Sequence, residues 1–298
     1  MKHISVLLNE SIDGLEIKSG DVIVDGTLGG GGHTLEIIKR FGSKVKIICL
    51  DLDSDAIARS KKLIDETESN VVFKNIGFQD IDKVLLDLGI EKVDKVLLDL
   101  GLSSFQLEEG NRGFSFSKNE PLLMTMKKNP EDSDVTAYSI VNTWDEETIA
   151  DIIFGFGEER FSRKIAKAII DARKEKDIVT TFDLVEILEK TVGKYYRGKK
   201  INPSTRTFQA LRIATNSELS NLDQVVQKGF SHLSKGGRMA IISFHSLEDR
   251  IVKKAFVDLK EKGLATVITK KPIVPSPDEI KSNPRSRSSK LRLIEKNI

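Results

Sequence analysis

The sequence predicts an α/β protein: a Rossmann-like sheet of seven strands, covered by helices on both faces and interrupted by a helical insertion. Three observations predict it. Short apolar runs alternate with amphipathic helical patterns through about the first hundred residues, which argues a sheet clothed on both sides. Three of the runs, Val22-Ile23-Val24, Ile47-Ile48-Cys49-Leu50 and Val96-Leu97-Leu98, each stop on an acid: Asp25, Asp51 and Asp99. Strand signals then vanish from Glu108 to about Ser204 and return afterwards.

The first of these runs opens into VIVDGTLGGGGHT, residues 22–34. A strand that ends in glycines and turns directly into a helix sets backbone N–H groups and a positive helix end beside whatever binds there. Such loops serve dinucleotides, nucleotide phosphates and S-adenosylmethionine alike. Neither the G-x-G-x-x-G spacing nor a terminal G-K-[ST] is present, so phosphate ligands lose ground. Asp51 ends the second run, where a carboxylate accepts hydrogen bonds from two ribose hydroxyls. Asp51-Leu52-Asp53-Ser54-Asp55 opens like a calcium loop, but Ala56 and Lys62 replace its glycine and glutamate, so we expect no metal there. No Cys/His cluster has zinc spacing.

Taken in order, residues 3–15 (HISVLLNESIDGL) combine an apolar run with a helix start at Asn9 and are expected across the sheet end. Leu35, Ile38 and Phe41 mark a helix after the glycines, and a polar helix is expected from Ser54 to Thr67. A third strand surrounds Val71-Val72-Phe73. Ile81, Val84, Leu85 and Leu88 then share one helical face before the fourth strand. Ligands on such sheets sit beyond the carboxyl ends of the strands, so Asp25, Asp51 and Asp99 converge on one crevice.

The insertion is read as a helical domain at 108–204, between sheet portions 1–107 and 205–298, and its expected role is substrate choice. Lys194 to Ser217 holds six basic residues and no acid, with Tyr195 and Tyr196 at its start, a composition that suits phosphate contact and base stacking. In Thr205 to Leu222, Phe208, Leu211, Thr215, Leu219 and Leu222 share a helical face, while Arg206, Gln209 and Asn216 form a polar set expected to face the crevice. The fifth strand is Met239 to Ser243, after Gly236-Gly237. His245 follows it, and Ser246 and Asp249 have capping-box spacing. Two late runs, Ala265–Thr269 and Lys290–Ile294, read as a hairpin-like pair, completing a seven-stranded sheet of methyltransferase type rather than a dinucleotide fold. Lys281 to Ile298 has six Lys/Arg against one Glu, a second candidate phosphate surface.

The 298 residues carry a net charge of only +2, so a nucleic-acid surface must arise by local clustering. A single cysteine, Cys49, excludes an internal disulfide and suits a cytoplasmic setting. No secretory signal or membrane-length apolar run is present. A monomer and a homodimer are equally compatible with the sequence.

HISVLLNESIDGL, DGTLGGGGHT, VLLDLGLSSFQLEEGNRGFSF, NPSTRTFQALRIATNSEL and ISFHSLEDRIVK together resemble the bacterial ribosomal RNA small-subunit methyltransferase H family. The resemblance spans nearly the whole chain. It implies a class I S-adenosylmethionine-dependent methyltransferase that modifies the exocyclic N4 of a cytidine in the decoding centre of 16S ribosomal RNA, with the small ribosomal subunit as partner. It further implies that Gly31, Gly32, His33, Asp51, Phe78, Asp99 and Gln106 bind S-adenosylmethionine. Asp99 is the first candidate for orienting the amine, with Asn216, Arg206 and His245 behind it, because no N-P-P-Y signature is present. One departure stands out: the family's P-L-D-M-R-M becomes Pro121-Leu122-Leu123-Met124-Thr125-Met126, with Leu123 and Thr125 in place of an acid and an arginine. The rival readings are a nicotinamide-dependent oxidoreductase and a non-catalytic RNA-binding assembly factor.

Overall fold

The computed structural model describes residues 4–64, 70–108 and 110–298. Two compact units emerge, one formed by 1–103 with 219–298 and the other by 104–218.

The first unit is built on seven strands: β1 (Val22–Asp25), β2 (Lys46–Leu50), β3 (Asn70–Lys74), β4 (Val93–Asp99), β5 (Leu233–Ser243), β6 (Ala265–Val267) and β7 (Lys290–Lys296). They lie in the order β3-β2-β1-β4-β5-β7-β6. The pairs from β3 to β5 are parallel, whereas β7 runs antiparallel to both β5 and β6. This is the class I methyltransferase sheet that the sequence predicts, including its late antiparallel pair. The chain winds from β1 towards β2 and β3 on one side and returns to β4 on the other, so its switch point lies beside the end of β1.

Period-two alternation explains how one short strand serves two cores. Val24, Ile48, Leu50, Val96, Leu98 and Ile241 share one apolar cluster, and Ile23, Ile47, Cys49, Leu97 and Ile242 share another. Adjacent residues of one strand point to opposite faces, so both faces are buried. Helices α1 (Leu8–Leu15), α2 (Gly32–Phe41) and α3 (Ser54–Ile64) contribute to the second cluster. To the first come α4 (Ile81–Asp87), α11 (Glu218–His232) and α12 (Ser246–Glu261). Each such fully buried Leu or Ile contributes about 1.5–3 kcal/mol relative to exposure. The predicted helix from Ser54 reaches Ile64; its expected continuation at 65–67, like His3, lies outside the described residues. Towards the C-terminus, α13 (Pro277–Ser282) steadies the N-terminal segment, because Leu7 donates its N–H to Glu279 Oε1 at 2.8 Å.

The second unit comprises α5 (Ser104–Glu108), α6 (Ala137–Thr143), α7 (Glu146–Gly157), α8 (Ser162–Glu175), α9 (Thr181–Tyr196) and α10 (Thr205–Asn216). Its boundaries differ from the 108–204 expected. Helix α10 packs on α7 and α6, and a close approach at Gly157 explains the fit: a Cβ there would stand 2.6 Å from the carbonyl oxygen of Arg206. Nor do residues 205–222 form one amphipathic helix. Ser217 takes a left-handed φ of 50° and ends α10, so Phe208 and Leu211 belong to the helical unit while Leu222 joins the core of the sheet unit.

Candidate functional site

Strand register places the three acids. Asp25 ends β1 opposite Cys49 on one neighbour and Leu97 on the other. Asp51 and Asp99 stand two residues further along those neighbours, flanking the space beyond the shorter β1. With strands about 4.8 Å apart, roughly 10 Å separates β2 from β4. The glycine loop fills the mouth of that gap.

Asp25 is buried and serves the loop. Its Oδ2 accepts from Thr34 Oγ1 at 2.7 Å and its Oδ1 from the Thr27 N–H at 3.2 Å. Burial nonetheless raises its pKa above the usual carboxylate range. Asp51 accepts one N–H on each oxygen, from Gly29 on Oδ2 and from Asp53 on Oδ1, both at 2.8 Å. Each oxygen keeps a second lone pair for a ligand hydroxyl. Burial pushes the Asp51 pKa up to about 6, against the pull of those two N–H groups. The Asp51–Asp55 segment that mimics a calcium loop is occupied with its own turns, since Asp55 donates its N–H to Asp53.

Asp99 differs from both. Its Oδ2 lies 3.8 Å from His33 Nδ1, and its Oδ1 is buried with no hydrogen-bond partner among the described residues. Burial, reinforced by the negative charges of Asp25 and Glu248, raises its pKa to about 8. A carboxyl in that state is mostly protonated at neutral pH and ready to ionise when a cation arrives.

Backbone geometry shapes the floor. Gly31 sits at φ +74° as the N-cap of α2, and a Cβ there would stand 3.0 Å from Ser60 Oγ. A Cβ on Gly26 would meet Leu98 Cδ2 at 2.5 Å and Phe78 Cβ at 3.2 Å. Phe78, opening a single helical turn after β3, therefore packs close under the loop. Gly31, Gly32 and His33 form the start of α2, where the first-turn N–H groups have no intrahelical acceptor.

The other predicted residues sit elsewhere or have local work. His245 caps α12: its Nδ1 accepts the Glu248 N–H at 3.4 Å, and Glu248 Oε2 accepts the N–H groups of Phe244 and His245. The capping box is thus His245/Glu248, one residue before the Ser246/Asp249 pair expected. Asp249 instead binds Lys290 and Arg292, at 3.0 and 2.6 Å. Lys296 is held by the carbonyls of Phe230, Ser231 and Leu233. Half of the basic C-terminal cluster, Lys290, Arg292 and Lys296, is therefore neutralised or tied down within the fold.

Within the helical unit, Asn216 donates to the carbonyls of Met124 and Arg212 and accepts the Met126 N–H at 2.7 Å. The atypical 121–126 segment is thus pinned at both ends of its left-handed Met124 (φ 53°), and Thr125 is buried. Arg206 lies 3.9 Å from the buried Glu159, and Gln209 donates to the Phe156 carbonyl. The polar set of α10 is engaged inside its own unit. Gln106 is buried in α5 of the same unit. Sequence reasoning missed Thr34 and Glu159; a buried Thr in the first turn of α2 gave no signal, and two of the partners of Glu159, Tyr196 and Arg206, lie far along the chain.

Residues 1–297 match the MraW methylase family. The chain belongs to that family. Ribosomal RNA small subunit methyltransferase H of Clostridium botulinum (strain Kyoto / Type A2) is 44% identical to this methylase over 99% of both chains. The protein of the same name from Clostridioides difficile (strain 630) is 43% identical over 99% of this chain and 98% of its own. Among solved structures, an rRNA methylase from Streptococcus thermophilus covers all of both chains at 12% identity and a TM-score of 0.47, too slight a likeness to add to the assignment. Family membership removes the oxidoreductase reading. No helix among the described residues is long and apolar enough to cross a membrane.

Proposed function

We propose that this methylase transfers the methyl group of S-adenosylmethionine to the exocyclic N4 of a cytidine in the decoding centre of 16S ribosomal RNA, acting on the small ribosomal subunit. Its relatives' shared name supports the small-subunit substrate. The observation that carries the site assignment is the pairing of Asp51, with a lone pair left on each oxygen, and Asp99, with a buried oxygen lacking a partner, on either side of a glycine floor.

The residues fit the cofactor. Asp51 would hold the ribose hydroxyls, Phe78 and the side-chain-free floor at Gly31 and Gly32 would border the nucleoside, and His33 and Gln106 belong to the same proposed set. Bound there, S-adenosylmethionine supplies an electrophilic methyl on a sulfonium. The rest falls to the chain. A cytosine amine is a poor nucleophile because its lone pair is delocalised into the ring. Asp99, once ionised, accepts an N4 hydrogen, returns density to the nitrogen and takes the proton that the methylated amine must lose. Low polarity around Asp99 makes that contact stronger than it would be in water. His245 fixes the start of α12 beside the fifth strand end; Asn216 and Arg206 are positioning residues of the helical unit. A target base must leave its stack to reach such a pocket, which favours unpaired RNA.

The test is transfer of labelled methyl from S-adenosylmethionine to small subunits lacking the modification, followed by nucleoside analysis. N4-methylcytidine as the labelled product supports the reading; label on another nucleoside, or none, overturns it.

A further inference from the structure

Phe161 and Tyr195 stack with ring centroids 4.4 Å apart and planes 25° from parallel, and the stack is ringed by cations. The Arg160 guanidinium lies 4.6 Å from the Phe161 centroid, and the ammonium groups of Lys164 and Lys194 each lie 5.1 Å from that of Tyr195. We propose that this platform, where the start of α8 meets the end of α9, is a docking site for an unpaired base and its flanking phosphates in the RNA that the methylase modifies. The inference rests on the rRNA reading above and assigns it a surface on the helical unit.

Two features single out an RNA strand as the occupant. Tyr195 is 37% exposed although its ring is stacked on Phe161, so it offers surface for a further π-system. Arg160, Lys164 and Lys194 are exposed, and among the described residues no carboxylate pairs with them. Their charges stay available for phosphate, and lysines on long stems can leave the ring as a base arrives. Stacking is blind to base identity but needs an unpaired base, whereas the cations follow the backbone.

The platform is also held from below. Buried Glu159 accepts the Phe161 N–H on Oε1 at 2.9 Å and the hydroxyl of Tyr196, next to Tyr195, on Oε2. One carboxylate thus fixes the chain on both sides of the stack, with Arg206 3.9 Å away. Rings locked in this way lose little freedom on binding, which favours affinity. The basic run from Lys194 to Ser217 that the sequence singles out gains a defined centre, because Lys194 and Tyr195 belong to it and Arg160, Phe161 and Lys164 come from another part of the chain.

The experiment measures binding of the full-length protein to a fluorescent single-stranded oligoribonucleotide and to a duplex of the same sequence, across salt concentrations. Tyr195→Ala is expected to weaken single-strand binding about tenfold, and Tyr195→Phe to restore it to within about twofold. Lys164→Gln, which leaves the stack intact, is expected to shorten the slope of log affinity against log salt by about one. Melting temperature and affinity for S-adenosylmethionine serve as folding controls. Unchanged binding by Tyr195→Ala, or equal losses on single strand and duplex, overturns the platform. If the wild type binds single strands through Tyr195 yet methylates no rRNA, the platform stands and the reaction assignment fails. If it methylates rRNA while Tyr195→Ala binds normally, the reverse holds.

Discussion

Thr34 Oγ1 donates to Asp25 Oδ2 at 2.7 Å, joining the first turn of the ten-residue α2 to the end of the central strand. That bond opposes the burial that raises the Asp25 pKa. Thr34→Val removes it and leaves a buried carboxylate oxygen short of a donor, at a cost of about 1–3 kcal/mol. The sign with pH follows from linkage: a folded pKa raised above the unfolded value means stability lost as pH rises. Losing the hydroxyl raises it further. The deficit in melting temperature of Thr34→Val against wild type should therefore grow as pH rises.

Asp99 sets a second pH dependence. With its pKa near 8 against an ordinary 3.8, the folded protein holds a proton that the unfolded chain releases. Its contribution is fully present below about pH 4 and is lost as pH rises towards 8. Asp99→Asn should flatten the fall in melting temperature between pH 6 and 8, where the contribution of Asp51, with its pKa near 6, has already been lost. In the wild type, binding of cationic S-adenosylmethionine at pH 7 should release close to one proton, read by calorimetry in buffers of different ionisation enthalpy. Asp99→Asn should release none from this site.

Gly31 tests the floor of the site. Its φ of +74° is strained for any L-residue, and a Cβ there would press Ser60 Oγ at 3.0 Å. Gly31→Ala should cost about 1–3 kcal/mol in denaturant unfolding. Because the strain lies in the backbone, a Gly31→Ala, Ser60→Gly double variant should recover only part of the loss.

Two hydrogen bonds of Asn216, to the Met124 carbonyl and from the Met126 N–H, hold 124–126 against α10, and a third reaches the Arg212 carbonyl within the helix. Asn216→Ala should destabilise the helical unit by about 2–3 kcal/mol, at roughly 1 kcal/mol per bond, and expose the 121–127 segment to limited proteolysis. A variant that melts and resists protease like the wild type would contradict this anchoring role.

How far the sequence could be read follows from which interactions are local. Asp25, Asp51 and Asp99 were legible because each ends an apolar run, and parallel topology puts strand ends together. The glycine floor was legible for the same reason. The capping residue was misplaced by one position because Ser246-x-x-Asp249 satisfies the motif as well as His245-x-x-Glu248 does. Only the fold decides between them, since Asp249 is drawn to Lys290 and Arg292. The break at Ser217 has no glycine or proline to announce it, so a continuous helical stripe was expected across it. Arg206 and Asn216 looked free in one dimension; their partners, Glu159 and the 124–126 backbone, lie far away in sequence.

The most direct measurement is calorimetric titration of S-adenosylmethionine into the wild type and Asp51→Ala, with folding of both checked by circular dichroism. Removing the carboxylate proposed to take two ribose hydroxyls should raise Kd by about 30-fold or more. Binding of Asp51→Ala within about twofold of wild type would contradict the crevice between β2 and β4 as the adenosyl site.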